Sequence, residues 1–204
     1  MRVKVCGIRR AEDALLAAEL GAWAVGFVFW PGSPRFIDPF RARQICGALP
    51  PWILPVGVFV DQPADYVTGV ASLVRLGAVQ LHGNETSDMV ERLPHRVIKS
   101  VAVSDDFKES FVDRVPARAG VLLDAHDPER RGGTGVTVDW TRAAGAARRR
   151  AVLLAGGLRP ENVRAAVEAV RPFGVDVSSG VEASPGVKDP EKLRAFFAAV
   201  ELER

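Results

Sequence analysis

The sequence predicts an α/β fold: a single (βα)8 barrel of eight parallel strands, with residues 1–204 forming one domain. Three observations predict it. Short apolar runs alternate with amphipathic runs from end to end, the pattern of strands in a parallel sheet joined by helices. The strand runs are apolar on both faces, as parallel strands covered by helices must be. Eight strand–helix units fit in 204 residues, near the lower end of the roughly 200 to 250 residues usual for such barrels. An open doubly wound sheet is the alternative. It uses fewer strands and a glycine-rich turn after the first, whereas Cys6-Gly7 is followed here by Ile8 and no GxGxxG appears.

Each element has its own signal. Val3–Cys6 is the first strand, and Ala11–Leu20 is an alanine- and leucine-rich helix stopped by Gly21. Ala24–Phe29 is the second strand. Asp38-Pro39 opens the next helix, with Asp as cap and Pro in the first turn. Leu54–Val60 and Pro63–Leu76 form the third strand and helix. Ala78–Leu81 is a short fourth strand, with a helix near Thr86–Leu93. Val97–Val103 is the fifth strand, followed by a weak helical stretch near Phe107–Val115. Gly120–Asp124 is the sixth. From Ala125 to Val138 the pattern breaks, and the polar, glycine-rich run through Gly132-Gly133-Thr134-Gly135 reads as a mobile loop. A helix near Asp139–Ala147 leads to the seventh strand, Ala151–Ala155. Pro160–Val170 is helical, Gly174–Val177 is the eighth strand, and Asp189-Pro190-Glu191 caps a last helix to about Val200. No internal repeat or linker divides the chain.

Composition narrows the function. A net charge of +2 is too mild an excess to argue for nucleic acid, which calls for a concentrated basic face, and no nucleic-acid partner is expected. It is compatible with a small anionic substrate. No apolar run is long enough to span a bilayer, and the opening residues lack the apolar run of a signal peptide. The two cysteines, Cys6 and Cys46, form no CxxC, so a reducing cytoplasm is the simpler reading. His82, His95 and His126 show no paired spacing, so no metal site is expected. Whether the protein is a monomer or a homodimer stays open, because a barrel's outer face is partly apolar either way.

In a barrel the chemistry sits at the C-terminal ends of the strands. The polar residues there are Cys6, His82, Asp124, Asp176 and Ser178, with Arg35 in the loop after the second strand. Lys4, Gln80 and Lys99 are placed lower, inside the barrel. Both lysines then need anionic partners. Asp176 is one candidate, and a structural ion pair filling the barrel is the favoured reading for them. Two readings of Cys6 are open. A free cysteine is commonly a small buried hydrophobe. Its place at a strand end, two residues above Lys4 and before a glycine, favours instead a thiolate made available by the nearby cation. Cys46, on a helix, has no role. Asp124 could cap a helix or act as an acid; the apolar run before it favours the protonated form that a general acid needs. Ala155-Gly156-Gly157-Leu158 and Ser178-Ser179-Gly180-Val181 follow the last two strands, where barrels often hold a phosphate on backbone N–H groups. The loop after Asp124 is placed as a lid over the reaction.

With these residues in place the chain resembles the phosphoribosylanthranilate isomerase family nearly end to end. Lys4-Val5-Cys6-Gly7-Ile8 is similar to the family's first strand, and Gly26-Phe27-Val28-Phe29 with Ser33-Pro34-Arg35 to its second strand and loop. Val56 to Asp61, Val79-Gln80-Leu81-His82-Gly83, Leu122-Leu123-Asp124, Gly132 to Gly135, Leu154 to Leu158, Asp176 to Glu182 and Pro185 to Asp189 follow in order. Arg9 departs from the threonine often found after Cys-Gly-Ile. The resemblance implies a cofactor-free Amadori rearrangement of N-(5-phosphoribosyl)anthranilate in tryptophan biosynthesis. It implies that Asp124 is the general acid and Cys6 the general base. Arg35 would grip the anthranilate carboxylate with its planar fork, His82 would contact substrate, and Asp176 would lie near the sugar. Gly156, Gly157, Ser179 and Gly180 would hold the phosphate. Two competing readings remain beside it: a related ring-closing barrel such as indole-glycerol phosphate synthase, which calls for a catalytic lysine and glutamate, and a phosphate-binding barrel without chemistry.

Overall fold

The computed structural model of the chain describes residues 1–125 and 139–201. The glycine-rich stretch read as a mobile lid, 126–138, lies outside the described residues. Eight parallel strands close into a barrel in sequence order, with the last paired to the first. They are β1 (Arg2–Val5), β2 (Ala24–Val28), β3 (Leu54–Phe59), β4 (Ala78–Leu81), β5 (Val97–Val103), β6 (Gly120–Ala125), β7 (Val152–Leu154) and β8 (Gly174–Val177). Around them run α1 (Ala11–Glu19), α2 (Pro39–Ala48), α3 (Ala64–Val74), α4 (Ser87–Arg92), α5 (Trp140–Arg149), α6 (Val163–Val170) and α7 (Pro190–Glu201).

The alternation of side chains along each strand decides what lies inside. Ala24, Val56, Ala78, Ile98, Leu122 and Leu153 pack as one layer in the barrel, and Cys6, Val28 and Val58 form a second cluster. The opposite parity, with Val3, Val5, Phe27, Leu81, Val121 and Leu123, joins the larger core beneath the helices. Helix starts follow their cap residues. The Asp38 carboxylate accepts from the N–H of Phe40 and Arg41. Asp139 does the same for Thr141 and Arg142, and Asp189 for Glu191 and Lys192.

Three expectations change. The weak helical stretch after β5 is a tight 3-10 turn, Glu109–Arg114, consistent with its poor apolar periodicity. Lys99 is not inside the barrel. Ile98 takes the interior position, so Lys99 has outward parity, and its Nζ donates to the Gly83 carbonyl at 2.6 Å and to Glu85 at 2.7 Å. Two short strands, β9 (Glu182–Ser184) and β10 (Val187–Lys188), form an unanticipated antiparallel hairpin after β8. Its signal was the Pro185-Gly186 pair, a turn dipeptide between residues that pair across it.

Replacing Asp38 by Ala removes two capping bonds at an exposed helix start. A loss of about 1 kcal/mol is expected, read as a fall of roughly 2–4 °C in Tm, with turnover unchanged. An unaltered melting curve would show that the cap contributes nothing.

Candidate active site

The strands deliver their polar ends to one cavity at the C-terminal mouth. Cys6 from β1, His82 beyond β4, Asp124 from β6, Asp176 from β8 and Arg35 from the loop after β2 all line it. Gly156, Gly157 and Ser179, from the turns after β7 and β8, line its other side. Of the residues expected to act on or bind substrate, Gly180 alone is not part of the lining. A Cβ there would come within 1.9 Å of the Leu158 carbonyl oxygen. The glycine lets the turn after β8 press on the turn after β7, and so shapes the cradle without facing it. Gly156 and Gly157 both have positive φ, +85° and +64°. Consecutive glycines in that region leave their backbone free to face an anion closely.

Two buried ionic networks support this mouth. The first lies inside the barrel. Lys4 and Asp176 are register partners across β1 and β8, and Lys4 Nζ meets Asp176 Oδ1 at 2.9 Å. Burial works against the Lys4 charge, but Asp176 and the neighbouring Cys6 more than restore it, so its pKa lies above the ordinary lysine value. Burial also pushes Asp176 up, with Lys4 pulling against it. At 2.9 Å, with Lys4 fully enclosed, the ionic form of the pair is the one the geometry supports.

The second network was not anticipated. Arg35 donates through Nε and Nη2 to the two oxygens of Glu182, at 2.9 and 2.7 Å. Lys188 Nζ donates to Glu182 Oε1 at 2.9 Å and to the Ser178 carbonyl at 3.1 Å. The Lys188 backbone N–H donates to Asp13 on α1, which Arg10 grips in turn. The β9–β10 hairpin makes this possible by setting Lys188 opposite Glu182. The planar fork expected to face a ligand carboxylate is therefore spent on Glu182. Two N–H groups of Arg35 are taken by Glu182, and Arg35 still lines the cavity.

The cysteine also departs from expectation. Lys4 was expected to lower the thiol's pKa. Burial is the larger effect and pushes it up, and Asp176 adds to the rise while Lys4 and Lys188 oppose it. Lys4 still pulls the thiol down more than Asp176 pushes it up, but together with Lys188 it does not outweigh burial. Cys46 is half-buried and pushed up to about 12 by burial alone.

Opposite Cys6 in chain order, Asp124 is engaged by His82. His82 Nε2 lies 3.1 Å from Asp124 Oδ2, and the ring's Nδ1 lies 2.8 Å from Gln80 Nε2. The Cys6 thiol, just beyond β1, and the Asp124 carboxyl group of β6 thus share one cavity with the glycine turns after β7 and β8, an arrangement that could carry proton transfer. Among the described residues, no three His, Cys, Asp or Glu side chains converge as metal ligands. No helix among them is long and apolar enough to cross a membrane.

A family model described as N-(5'phosphoribosyl)anthranilate (PRA) isomerase matches residues 3–199. The N-(5'-phosphoribosyl)anthranilate isomerase of Geotalea uraniireducens is 50% identical over 198 residues, covering 96% of each chain. A crystal structure of phosphoribosyl anthranilate isomerase from Thermus thermophilus is similar at a TM-score of 0.90 and 44% identity, over 100% of both chains. Another solved phosphoribosyl anthranilate isomerase holds reduced 1-(o-carboxyphenylamino)-1-deoxyribulose 5-phosphate. It is similar at a TM-score of 0.86 and 44% identity, over 98% of both chains.

The second network has a pH signature. Burial alone would raise Glu182, but the bonds from Arg35 and the charge of Lys188 hold it below the ordinary 4.5. A depressed carboxylate contributes stability above its unfolded pKa and loses it as pH falls through the folded one. Glu182→Gln is expected to cost about 3 kcal/mol at neutral pH, since it leaves two buried cations without their anion. The gap to wild type should narrow in acid below 4.5. Urea titrations along a pH series read this directly; a gap independent of pH would refute it.

Proposed function

The chain belongs to the N-(5'-phosphoribosyl)anthranilate isomerase family, and on that footing we propose how its own residues carry the reaction. The substrate is N-(5'-phosphoribosyl)anthranilate and the product 1-(2-carboxyphenylamino)-1-deoxyribulose 5-phosphate. The reading is carried by one observation: Cys6 and Asp124, from β1 and β6, line one cavity with the paired turns after β7 and β8.

Asp124 gives its proton to the ribose ring oxygen. The C1′–O bond breaks, and the anthranilate nitrogen lone pair forms a C=N bond, leaving a protonated Schiff base. Cys6 removes the proton from C2′, and those electrons neutralise the iminium to give an enolamine. Tautomerisation of the enolamine yields the ketone. Burial favours the thiol form of Cys6, so its own proton must first leave to solvent. The iminium cation formed beside it, with Lys4 below, favours the thiolate that then takes the C2′ proton. The iminium is also the electron sink, so no cofactor enters the sequence.

Recognition takes the two ends of the molecule. The phosphate lies against Gly156, Gly157 and Ser179, with Gly180 holding the two turns together. The anthranilate carboxylate meets the Arg35 donors left over from Glu182, and Asp176 lies toward the sugar. A ring-closing synthase would need a lysine working in the mouth. Lys4 and Lys188 are instead buried and paired, and Lys99 lies on the outer side of β5.

Cys6→Ala and Asp124→Asn are each expected to lower kcat by about 10²-fold or more while substrate still binds. The assay follows loss of phosphoribosylanthranilate fluorescence, with substrate made in situ. Near-wild-type turnover in either variant removes that residue from its role. Arg35→Ala is expected to raise KM roughly tenfold, the worth of a charge-assisted bond. Unchanged KM and kcat would dismiss the carboxylate contact.

A further inference from the structure

One buried polar atom in the cavity has no role in the reaction as described. Gln80 points inward from β4, is 1% exposed, and lines the cavity. Its Oε1 is buried and has no hydrogen-bond partner among the described residues. A buried carboxamide oxygen left unsatisfied is costly, and such an atom in a binding cavity points to a ligand donor. The other end of the same amide is engaged: Nε2 lies 2.8 Å from His82 Nδ1. His82 passes the connection on, with Nε2 at 3.1 Å from Asp124 Oδ2.

The proton arrangement along this chain follows from what each atom can do. Gln80 Nε2 can only donate, so the neutral ring carries its hydrogen on Nε2, and the Asp124 oxygen facing it accepts, with the acid's proton on the other oxygen. Nδ1 then presents a lone pair, and Gln80 Nε2–H donates to it. The reverse amide orientation would set Oε1 against Nδ1, draw the ring proton there, and in the neutral ring turn the Nε2 lone pair onto Asp124. The tautomer of His82 is therefore chosen by its neighbour on β4, two residues before it, and not by the ring itself.

Resting on the assignment of Asp124 as the acid, we propose that Gln80 is a positioning residue that holds His82 in its Nε2–H tautomer, and that its Oε1 accepts a hydrogen bond from a ribose hydroxyl of bound substrate. The Nε2–H bond to Asp124 is modest while the acid keeps its proton. It becomes charge-assisted as the proton leaves, so it stabilises the transition state more than the ground state. The sugar hydroxyl completes the arrangement by fixing the orientation of the amide. Substrate binding and the proton geometry of the acid are then joined through one side chain.

Two substitutions and one spectrum test this. Gln80→Glu keeps an acceptor for the sugar but cannot donate to Nδ1; kcat should fall about tenfold with KM within about twofold. Gln80→Met loses both contacts, so KM should rise several-fold as well. Nitrogen NMR of histidine-labelled protein should show wild-type His82 protonated at Nε2 only, and Gln80→Glu protonated at Nδ1. A wild-type His82 protonated at Nδ1 overturns the proposal whether or not the variants fold. So does a Gln80→Glu variant whose His82 tautomer or kcat matches wild type. Full turnover in Asp124→Asn would instead bring down the acid assignment, while the wild-type spectrum would still report what Gln80 does to His82.

Discussion

A lysine ammonium inside a protein is tolerable only beside an anion, and here the anion comes from the strand that closes the barrel. Lys4 and Asp176 are register partners on β1 and β8, at the seam where the chain's first strand meets the last of the barrel. Moving two such charges out of water costs several kcal/mol each, and only good geometry returns it. A slip of one residue along either strand would turn one member of the pair outward. The pair thus ties the register of the seam to the electrostatics of the site above it. Cys6, just above the pair, is pushed up mainly by burial, with Lys4 opposing the rise and Asp176 adding to it.

The mouth divides into regions with different physics. On the proposed reading, the proton-transfer side is built from strand ends, Cys6, the Gln80–His82–Asp124 chain and Asp176, and the carboxylate and anion sides lie beside it. The carboxylate side hangs on Arg35, which is held by the β9–β10 hairpin through Glu182 and Lys188 and braced against α1 through Asp13. The anion side is made of backbone from two consecutive turns. β8 and the residues after it join the three: Asp176, the turn at Ser178-Ser179 and Glu182 follow one another along the chain, and Lys188 donates to the Ser178 carbonyl.

Much of this was readable before any coordinates. Apolar runs of strand length separated by amphipathic runs specified the barrel, and the cap residues Asp38, Asp139 and Asp189 marked helix starts. The strand-end rule brought Cys6, His82, Asp124 and Asp176 together. What stayed hidden depended on pairing at a distance. Lys99 was misplaced because one-residue parity cannot be read from a run apolar on both faces. Glu182 and Lys188 look like surface charges in a line of sequence, and only the turn at Pro185-Gly186 hints that they meet. The rise in the Cys6 pKa needs three dimensions, since it weighs burial against a cation already paired elsewhere. Gln80 was visible as an inward residue, but its unmatched oxygen was not.

The absent side chain at Gly180 has a consequence beyond shape. Because that residue lies close against the Leu158 carbonyl, the two turns are held at a fixed spacing by contact, and a phosphate seated there as proposed would be the zero mark of a ruler. The distance from that mark to the Cys6 sulfur, just beyond β1, would then count carbon atoms. A sugar phosphate one carbon shorter or longer would fill the same grip yet present the wrong carbon to Cys6, so chain length would be sorted by reach without any added barrier to entry.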